Sequence, residues 1–289
     1  MLMKLHISAW CTYIPRYRKN NGKALIPVLG PDEDLVTMSY ESCRILRQSC
    51  YHNVKTLIYV SSDKTIGVKS ALLADLLKLS DIRKYDVNDL YHLVGVVQEV
   101  VDDGDVLAVS SDSSSAAAAV SMVLSKSGGY VEVVTGNSLI NSPPLLPGKD
   151  AKNDFHAELY LNKLSKFLKD LIDKAGIKPQ VIKYVATNIK DLRYCSKVLR
   201  SVGISDLALE PSKYVAAAGH FNTSHTPLTL IRTFEISSPG DYILLLDSDE
   251  NFSRVTSLIL KVNEDLLPVR GCVNYLDKLL NNSSVIILQ

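Results

Sequence analysis

The stretch from Asp89 to Val120 reads DLYHLVGVVQEVVDDGDVLAVSSDSSSAAAAV and decides the fold. Its first part repeats apolar residues at three- and four-residue spacing, which predicts a helix that is buried nearly all round. Asp102, Asp103 and Gly104 end this helix, and the apolar run from Val106 to Val109 predicts a strand that is covered on both faces. A buried helix that leads into a buried strand indicates the middle of a layered α/β domain.

The N-terminal turn of this helix is where we expect chemistry in such a domain. Free backbone N–H groups and the helix dipole favour negative charge there. The turn comprises residues 89–94, and it contains neither Cys nor Ser. The two usual nucleophiles for a helix N-terminus are therefore missing from the place that suits them best.

Length and composition narrow the class of protein. A chain of 289 residues can bury a large core as one α/β domain or as two fused halves. The formal net charge of +1 predicts no nucleic-acid partner. Five dispersed Cys without a CxxC pair indicate reduced thiols in a cytoplasmic protein, and no apolar run is long enough to predict a membrane span.

Hydrophobic periodicity and turn residues predict alternating strands and helices along the rest of the chain. Predicted strands cover residues 4–9, 54–61, 130–134, 181–186, 240–246 and 257–262, and predicted helices cover 34–50, 70–78, 153–175, 192–201 and 226–234. A loop-like, Pro-containing segment between residues 136 and 150 separates two halves, which we place at 1–140 and 141–289.

One internal echo supports related halves. Gly104-Asp105 with its apolar strand and Ser111-Asp112 is mirrored by Gly240-Asp241 with its own strand and Ser248-Asp249. A Gly-Asp pair before an apolar strand is also an ordinary junction between a helix and a strand. Because a second apolar segment follows in both places, the surroundings favour duplication.

Two motifs near the N-terminus carry a family resemblance. The segments Tyr13–Arg18 (YIPRYR) and Gly30–Met38 (GPDEDLVTM) resemble the opening of archaeal-type hydroxymethylglutaryl-CoA (HMG-CoA) synthases, members of the thiolase superfamily. The resemblance extends more weakly across most of the chain. It implies a thiolase-like duplicated five-layer α/β/α/β/α sandwich, and a homodimer or a heterodimer with a thiolase-fold paralogue.

The resemblance also implies positions for the catalytic groups of that family. There, a Cys at the start of the central helix takes an acetyl group from acetyl-CoA, a Glu deprotonates a second acetyl-CoA, and a His with an Asn polarises the acceptor carbonyl. In this chain Val94 stands at the Cys position, Asp63 at the Glu position and Thr187 at the His position. The Gly-Asn turn is replaced by Gly219-His220, with Asn222 two residues further on.

Each of these residues has a simpler interpretation beside the functional one. Asp63 is a candidate base, or it only caps the turn after a buried strand. His220, His225 and Asn222 line a pocket for a substrate, or they form an ordinary polar loop. A zinc site at the two His residues needs further ligands that the sequence does not place nearby, so we predict no metal.

These observations leave three hypotheses. The first is a catalytically degenerate protein that acts as a non-catalytic or partner subunit in acyl-CoA or mevalonate-type metabolism. The second is an active acyl-CoA condensing enzyme, or a hydrolase, in which Asp63 and His220 are catalytic and Asn222 and His225 bind substrate. The third is a non-catalytic protein with coenzyme A or an acyl-CoA as its ligand; no other cofactor is predicted.

Overall fold

The structure is a computed structural model that describes residues 5–22, 24–46, 48–63, 68–79, 81–140, 154–249, 253–263 and 286–288. The strands are β1 (Leu5–Tyr13), β2 (Tyr17–Asn20), β3 (Leu25–Pro27), β4 (Val54–Val60), β5 (Arg83–Val87), β6 (Asp105–Asp112), β7 (Ala118–Ser125), β8 (Val131–Ile140), β9 (Ile182–Thr187), β10 (Tyr242–Ser248), β11 (Arg254–Val262) and β12 (Ile286–Leu288). The helices are α1 (Leu35–Ile45), α2 (Lys69–Leu76), α3 (Leu90–Val100), α4 (Asp154–Ala175), α5 (Leu192–Ser201), α6 (Glu210–Ala218) and α7 (His225–Ile236).

Nine of these strands form one sheet in the order β5-β4-β6-β7-β1-β8-β11-β10-β9, and β12-β2-β3 form a small second sheet. From its centre outward, the large sheet repeats one pattern. Strand β1 is antiparallel to β7, β7 is antiparallel to β6, and β6 is parallel to β4. Strands β8, β11, β10 and β9 follow the same order and directions. The duplication that the internal echo predicts is therefore present in the topology, with β6 and β10 as equivalent strands.

The two halves of the sheet are joined by a short contact, because only Leu5–Ile7 of β1 pair with residues 131–133 of β8. Helices α3 and α7 lie between the halves. The side chains of β10 point alternately to the two faces of its half-sheet, and their packing shows that α3 and α7 lie on the inner face. Its Ile243 and Leu245 pack in the core that contains these helices, whereas Leu244 and Leu246 pack against α4 and α5 on the other face.

Five layers result from this arrangement. They are α1 with α2, the β5-β4-β6-β7-β1 half-sheet, α3 with α7, the β8-β11-β10-β9 half-sheet, and α4 with α5. The predicted thiolase-like sandwich is confirmed. The domain boundary between residues 140 and 141 meets a segment outside the described residues and stays a prediction.

Helix α3 differs from its expected environment. The prediction that it is buried nearly all round is wrong, because His92, Gly95 and Gln98 are exposed and Val94 is only half-buried. Its fully buried residues are Leu90, Val97 and Val100, which lie on one side. An apolar sequence shows that a helix can be covered on every side, but not that the protein supplies a neighbour for each side.

Helix ends follow local chemistry. The Asp34 side chain accepts a hydrogen bond from the backbone N–H of Thr37, so α1 begins where the acidic segment predicts. The helix ends at Ile45 rather than Cys50, because Leu46 adopts an extended conformation. Gly176, at φ +66°, ends α4 as predicted.

Among the helices that the structure describes, none combines the length and apolar character needed to cross a membrane.

Candidate functional site

The polar side chains of interest gather where the carboxyl ends of β4, β6, β9 and β10 meet the N-terminal ends of α3 and α7. Two carboxylates organise this region. Asp112 ends β6 and bonds to the loop before α7, whereas Asp247 lies near the end of β10 and bonds to the first turn of α7. We call their surroundings the Asp112 cluster and the Asp247 cluster.

The Asp112 cluster joins the two halves of the molecule. The Asp112 side chain, 1% exposed, accepts hydrogen bonds from Ser62 Oγ, from Ser114 N at 2.9 Å and Oγ at 2.6 Å, from Asn222 Nδ2 at 3.3 Å and from Thr223 Oγ1 at 3.1 Å. Burial alone raises the pKa of this carboxyl, but the hydrogen bonds outweigh burial and bring the pKa below its ordinary value. Asp112 is therefore an ionised, fully engaged group that holds loops together.

His220 continues this network into the second half. Its Nε2 lies 3.2 Å from the carbonyl oxygen of Asn188, and its Nδ1 accepts from the backbone N–H of Asn222 at 3.3 Å. The Asn188 side chain in turn bonds in both directions to the backbone of Ser248, at 2.8 and 3.0 Å. Both ring nitrogens of His220 thus have partners in the fold, and the side chain ties β9 and β10 to the loop before α7.

His225 lies beneath His220, with ring centroids 4.7 Å apart and planes 14° from parallel. It is 3% exposed, and its Nδ1 accepts from the backbone N–H of Phe221 at 3.3 Å. Burial lowers its pKa to about 3, with the charges of His220 and Lys190 adding to the effect. His225 is neutral at physiological pH and works as a packing and hydrogen-bonding group.

The Asp247 cluster has the opposite electrostatics. Asp247 Oδ1 accepts one hydrogen bond, from Thr226 Oγ1 at 2.6 Å. Burial raises the pKa of Asp247 to about 7; the Thr226 hydrogen bond lowers this pKa, and the charges of Asp89 and Asp249 raise it. Arg254 bridges these two neighbours, at 2.9 Å from Asp89 and 3.9 Å from Asp249. A carboxyl that titrates near neutral pH is the group in this region best suited to proton transfer.

The N-terminus of α3 lies beside the Asp247 cluster. The Asp89 side chain caps it by accepting from the His92 backbone N–H at 2.9 Å. A carboxylate of the chain itself therefore occupies the position where a helix N-terminus attracts an anion. Val94, at the position of the expected nucleophile, lines an apolar cavity of about 410 Å³ between α3 and the two half-sheets.

The remaining predicted residues lie at the edges of this region. Asp63 is about one-third exposed and forms an ion pair with Lys69 at 3.4 Å, just after β4. Thr187, at the expected His position, is fully buried at the end of β9, and its hydroxyl accepts from the Ile189 backbone N–H at 3.2 Å. The catalytic roles of Asp63 and His220, and the binding roles of Asn222 and His225, stay predictions.

The four described cysteines lie away from the N-terminus of α3. Cys43 on α1 and Cys195 on α5 belong to the two outer cores, and burial raises the pKa of each to about 12. Cys11 is buried on β1, and Cys50 lies in the turn before β4. Cys272 lies outside the described residues. Within the described part of the chain, no three His, Cys, Asp or Glu side chains are arranged to hold a metal.

The sequence analysis did not single out Asp112, Asn188 or Asp247 as candidate site residues. Asp112 and Asp249 already stand out as the ends of the echoed Ser-Asp pairs, which mark where the two equivalent strands finish. What the pairs do not reveal is which carboxyl is surrounded by donors and which by other carboxylates. Part of that difference comes from the Asn222–Thr223 loop, which bonds to Asp112 although it is more than 100 residues away in sequence.

Comparison with known proteins agrees with this architecture. No protein-family model matches the chain, and no curated protein sequence matches it significantly. Among solved structures, an HMG-CoA synthase complexed with CoA superposes with a TM-score of 0.77 at 15% identity, covering 99% of this chain and 88% of that one. PksG, an HMG-CoA synthase from Bacillus subtilis, gives 0.75 at 14% identity, covering 99% and 86%.

A third structure extends the comparison to a different kind of condensing enzyme. The 3-oxoacyl-[acyl-carrier-protein] synthase III from Aquifex aeolicus VF5 has a TM-score of 0.69 at 12% identity, covering 89% of this chain and 99% of that one. Identities this low establish the shared fold and leave the activity open. The chain therefore has the thiolase-like fold of the HMG-CoA synthases and 3-oxoacyl synthases.

Proposed function

We propose that this chain is a non-catalytic subunit that uses the thiolase-like fold to bind a partner, either a second copy or a thiolase-fold paralogue, in acyl-CoA or mevalonate-type metabolism. The observation that carries this proposal is the N-terminal turn of α3. Val94 offers no nucleophilic atom, and the helix N-terminus is capped by the Asp89 carboxylate. Both features remove what an acyl-transferring thiolate needs.

The electrostatics of the site support the same conclusion. Acyl transfer through a tetrahedral intermediate requires donors that face a developing negative charge. Here Asp89 caps the end of α3, and burial raises the pKa of the nearby Asp247 to about 7, with the charges of Asp89 and Asp249 adding to the rise. An oxyanion at this place meets carboxylates, so its formation is disfavoured.

A test of acyl transfer separates this proposal from the active-enzyme alternative. We expect the purified chain, incubated with radiolabelled acetyl-CoA, to give neither an acyl-protein adduct nor release of CoA. Turnover that disappears in both Asp63→Asn and His220→Ala, but survives in the surface variant Leu207→Lys, contradicts the proposal and supports the alternative. Leu207 is a suitable control because it is 82% exposed.

A partner-binding face lies along α2 and β5 in the first half. Val68, Leu72 and Leu76 recur at four-residue spacing and are 60%, 56% and 49% exposed, so they form one apolar stripe. Helix α2 packs on β5, which is the end strand of the large sheet. No described strand pairs with its outer side, which is the side that we propose for pairing with another chain.

The β5 sequence is compatible with pairing to a second copy. In an antiparallel pair centred on Tyr85, Lys84 of one chain lies opposite Asp86 of the other, which brings opposite charges together twice while Asp86 keeps its hydrogen bonds from Ser70. A paralogue with a similar end strand satisfies the same geometry. The apolar stripe on α2 then supplies the buried area that strand pairing alone lacks.

Sedimentation of the purified chain, with co-purification from native extract, tests this face. We expect a dimer or a complex with a thiolase-fold protein, and we expect the double variant Leu72→Lys/Leu76→Lys to abolish it. The matched control Leu207→Lys, in the second half, should leave assembly unchanged. A wild-type chain that remains monomeric and retains no thiolase-fold protein overturns the partner role.

Coenzyme A is the ligand to test first, because an HMG-CoA synthase of the same fold is complexed with it. The non-catalytic proposal is compatible with CoA binding, whereas the carboxylates around α3 disfavour an anionic ligand near that helix. We therefore expect calorimetric titration with CoA to give no heat at millimolar ligand. Measurable heat that Asp247→Asn strengthens supports the CoA-binding hypothesis instead.

A further inference from the structure

The cavity beside α3 has the size and the lining of a small-molecule site. It lies in the middle layer, where Val94 and Val97 of α3 face Ala108 of β6, Leu245 of β10 and Leu260 of β11. Its volume of about 410 Å³ falls within the range of roughly 300–1,000 Å³ that is usual for small-molecule sites. An engineered apolar cavity of about 150 Å³ is enough to bind benzene, so this one accommodates a larger molecule.

The lining of this cavity excludes water as a stable occupant. Among the described residues that line it, Gln98 and Ser110 alone carry polar side chains. Ser110 is buried, and its Oγ already lies 3.1 Å from Ser224 Oγ. A buried water requires two to four polar partners, roughly three on average, and the deep part of this cavity does not provide them.

Gln98 marks the outer end of the cavity, because it is exposed on α3 beside the half-buried Val94. A carboxamide both donates and accepts hydrogen bonds, so it suits a hydroxyl or another neutral polar group. Two carboxyl-bearing residues lie next to this lining in the chain, since Asp89 directly precedes Leu90 and Asp247 comes two residues after Leu245. An anionic ligand is repelled there, and an uncharged one is not.

We propose that this cavity binds a single uncharged aliphatic chain, with its polar head at Gln98 and its hydrocarbon tail along α3 between the two half-sheets. The affinity comes from removing apolar surface of the tail from water, which grows with each buried methylene. This site requires no catalytic residue, and it is independent of whether the chain pairs with a partner through β5.

Displacement of the neutral dye Nile red from the full-length protein tests the proposal with three probes of equal length. We expect 1-decanol to displace the dye. We expect 1,10-decanediol and decanoate to do so at concentrations about tenfold higher or more, because the diol buries an unpaired hydroxyl and decanoate carries a charge. Equal displacement by all three probes, or by none, overturns the proposal.

A pair of matched alanine variants tests the location. Ala108 lines the cavity, whereas Ala186 is equally a buried alanine of the central core but does not line it. Ala108→Leu should weaken 1-decanol binding about tenfold or more and leave the denaturation midpoint unchanged or higher, since it fills space. Ala186→Leu should lower the midpoint by overpacking and leave decanol binding unchanged.

Gln98→Ala supplies a measurement that does not depend on core repacking, because Gln98 is exposed. We expect it to weaken 1-decanol binding several-fold and to leave the denaturation midpoint unchanged. If Ala108→Leu destabilises the protein as much as Ala186→Leu does, while decanol binds both variants and Gln98→Ala as it binds wild type, the cavity is not the site.

Discussion

The two halves of the molecule share one strand pattern, but their central helices differ in how closely they are packed. In the second half, α7 is buried over most of its length, and Thr229 and Thr233 bond back to its own carbonyls, at 2.9 and 2.8 Å. In the first half, α3 exposes Gly95 and Gln98 and leaves a cavity beside Val94. The central helix of the second half is therefore closely packed, whereas that of the first half has an exposed face and borders a cavity.

The carboxylates of the equivalent strands differ in the same way. Asp112 of β6 is surrounded by donors that bring its pKa below the ordinary value, whereas burial, with the charges of Asp89 and Asp249, raises the pKa of Asp247 of β10 to about 7. Carboxyl groups near the ends of equivalent strands thus show opposite pKa shifts. The contrast teaches that topology fixes where a carboxyl lies, whereas the neighbouring loops decide whether it is ionised.

The largest expected effect tests the packing contrast between α7 and α3. Phe234→Ala in α7 should lower the free energy of unfolding by about 3–5 kcal/mol, because Phe234 is 1% exposed in the central core. Val94→Ala in α3 should lower it by less than about 1 kcal/mol, because that side chain is half-buried at a cavity. Urea denaturation measures both, and equal losses contradict the contrast.

A second test uses the raised pKa of Asp247. Its folded-state pKa of about 7 lies above the ordinary value of 3.8, so the native state binds the extra proton between these values. Stability therefore falls as pH rises from about 4 to about 7. Asp247→Asn should remove this fall and raise the free energy of unfolding at pH 8 by roughly 4 kcal/mol. Unchanged pH dependence in the variant's denaturation curves argues against the assignment.

Asp112→Asn should change the stability in the opposite direction to Asp247→Asn. The lowered pKa of Asp112 means that its stabilising effect is present above the ordinary value of 3.8 and is lost as pH falls through its folded-state pKa. At neutral pH the variant should lose roughly 2 kcal/mol, since an amide cannot accept from all the donors around it. Thermal denaturation of both Asn variants across pH should show one stabilised and one destabilised; changes of the same sign contradict the model.

The smallest expected effect concerns the exposed face of α3. A Cβ at Gly95 meets no atom within 4 Å, so Gly95→Ala should stabilise the helix by roughly 0.5–1 kcal/mol. Gly129→Ala is the contrasting variant, because its Cβ would lie 2.7 Å from the Ile7 carbonyl oxygen, and it should destabilise the protein. Destabilisation by Gly95→Ala in chemical denaturation shows that another segment covers this face.

Much of the architecture was predictable because it depends on local pattern. Apolar runs predicted β4, β6 and β10, and the periodic segment that ends at Gly176 predicted α4. Strand β5, with the sequence RKYDV, was missed because an end strand with one covered side lacks a long apolar run. Helix α6 was missed because its alanines and Pro211 read as a loop of small residues.

The candidate site was predictable only in part. Sequence located His220, Asn222 and His225 as one polar group, and it placed Val94 where a nucleophile was expected. It could not show that Asp112 binds the Asn222 loop, a contact 110 residues apart along the chain. It also gave no indication of a cavity, because empty space depends on how all the layers fit together.

The sequence by itself determined the alternation of strands and helices, the echo between the two halves and the absence of Cys and Ser from the N-terminal turn of α3. These features depend on residue type and spacing along the chain. Only the tertiary structure decided that one face of α3 is exposed and that its other side borders a cavity. It also decided that the pKa of Asp112 is lowered and the pKa of Asp247 is raised. Burial and electrostatic environment are set by neighbours that the fold brings from distant parts of the sequence.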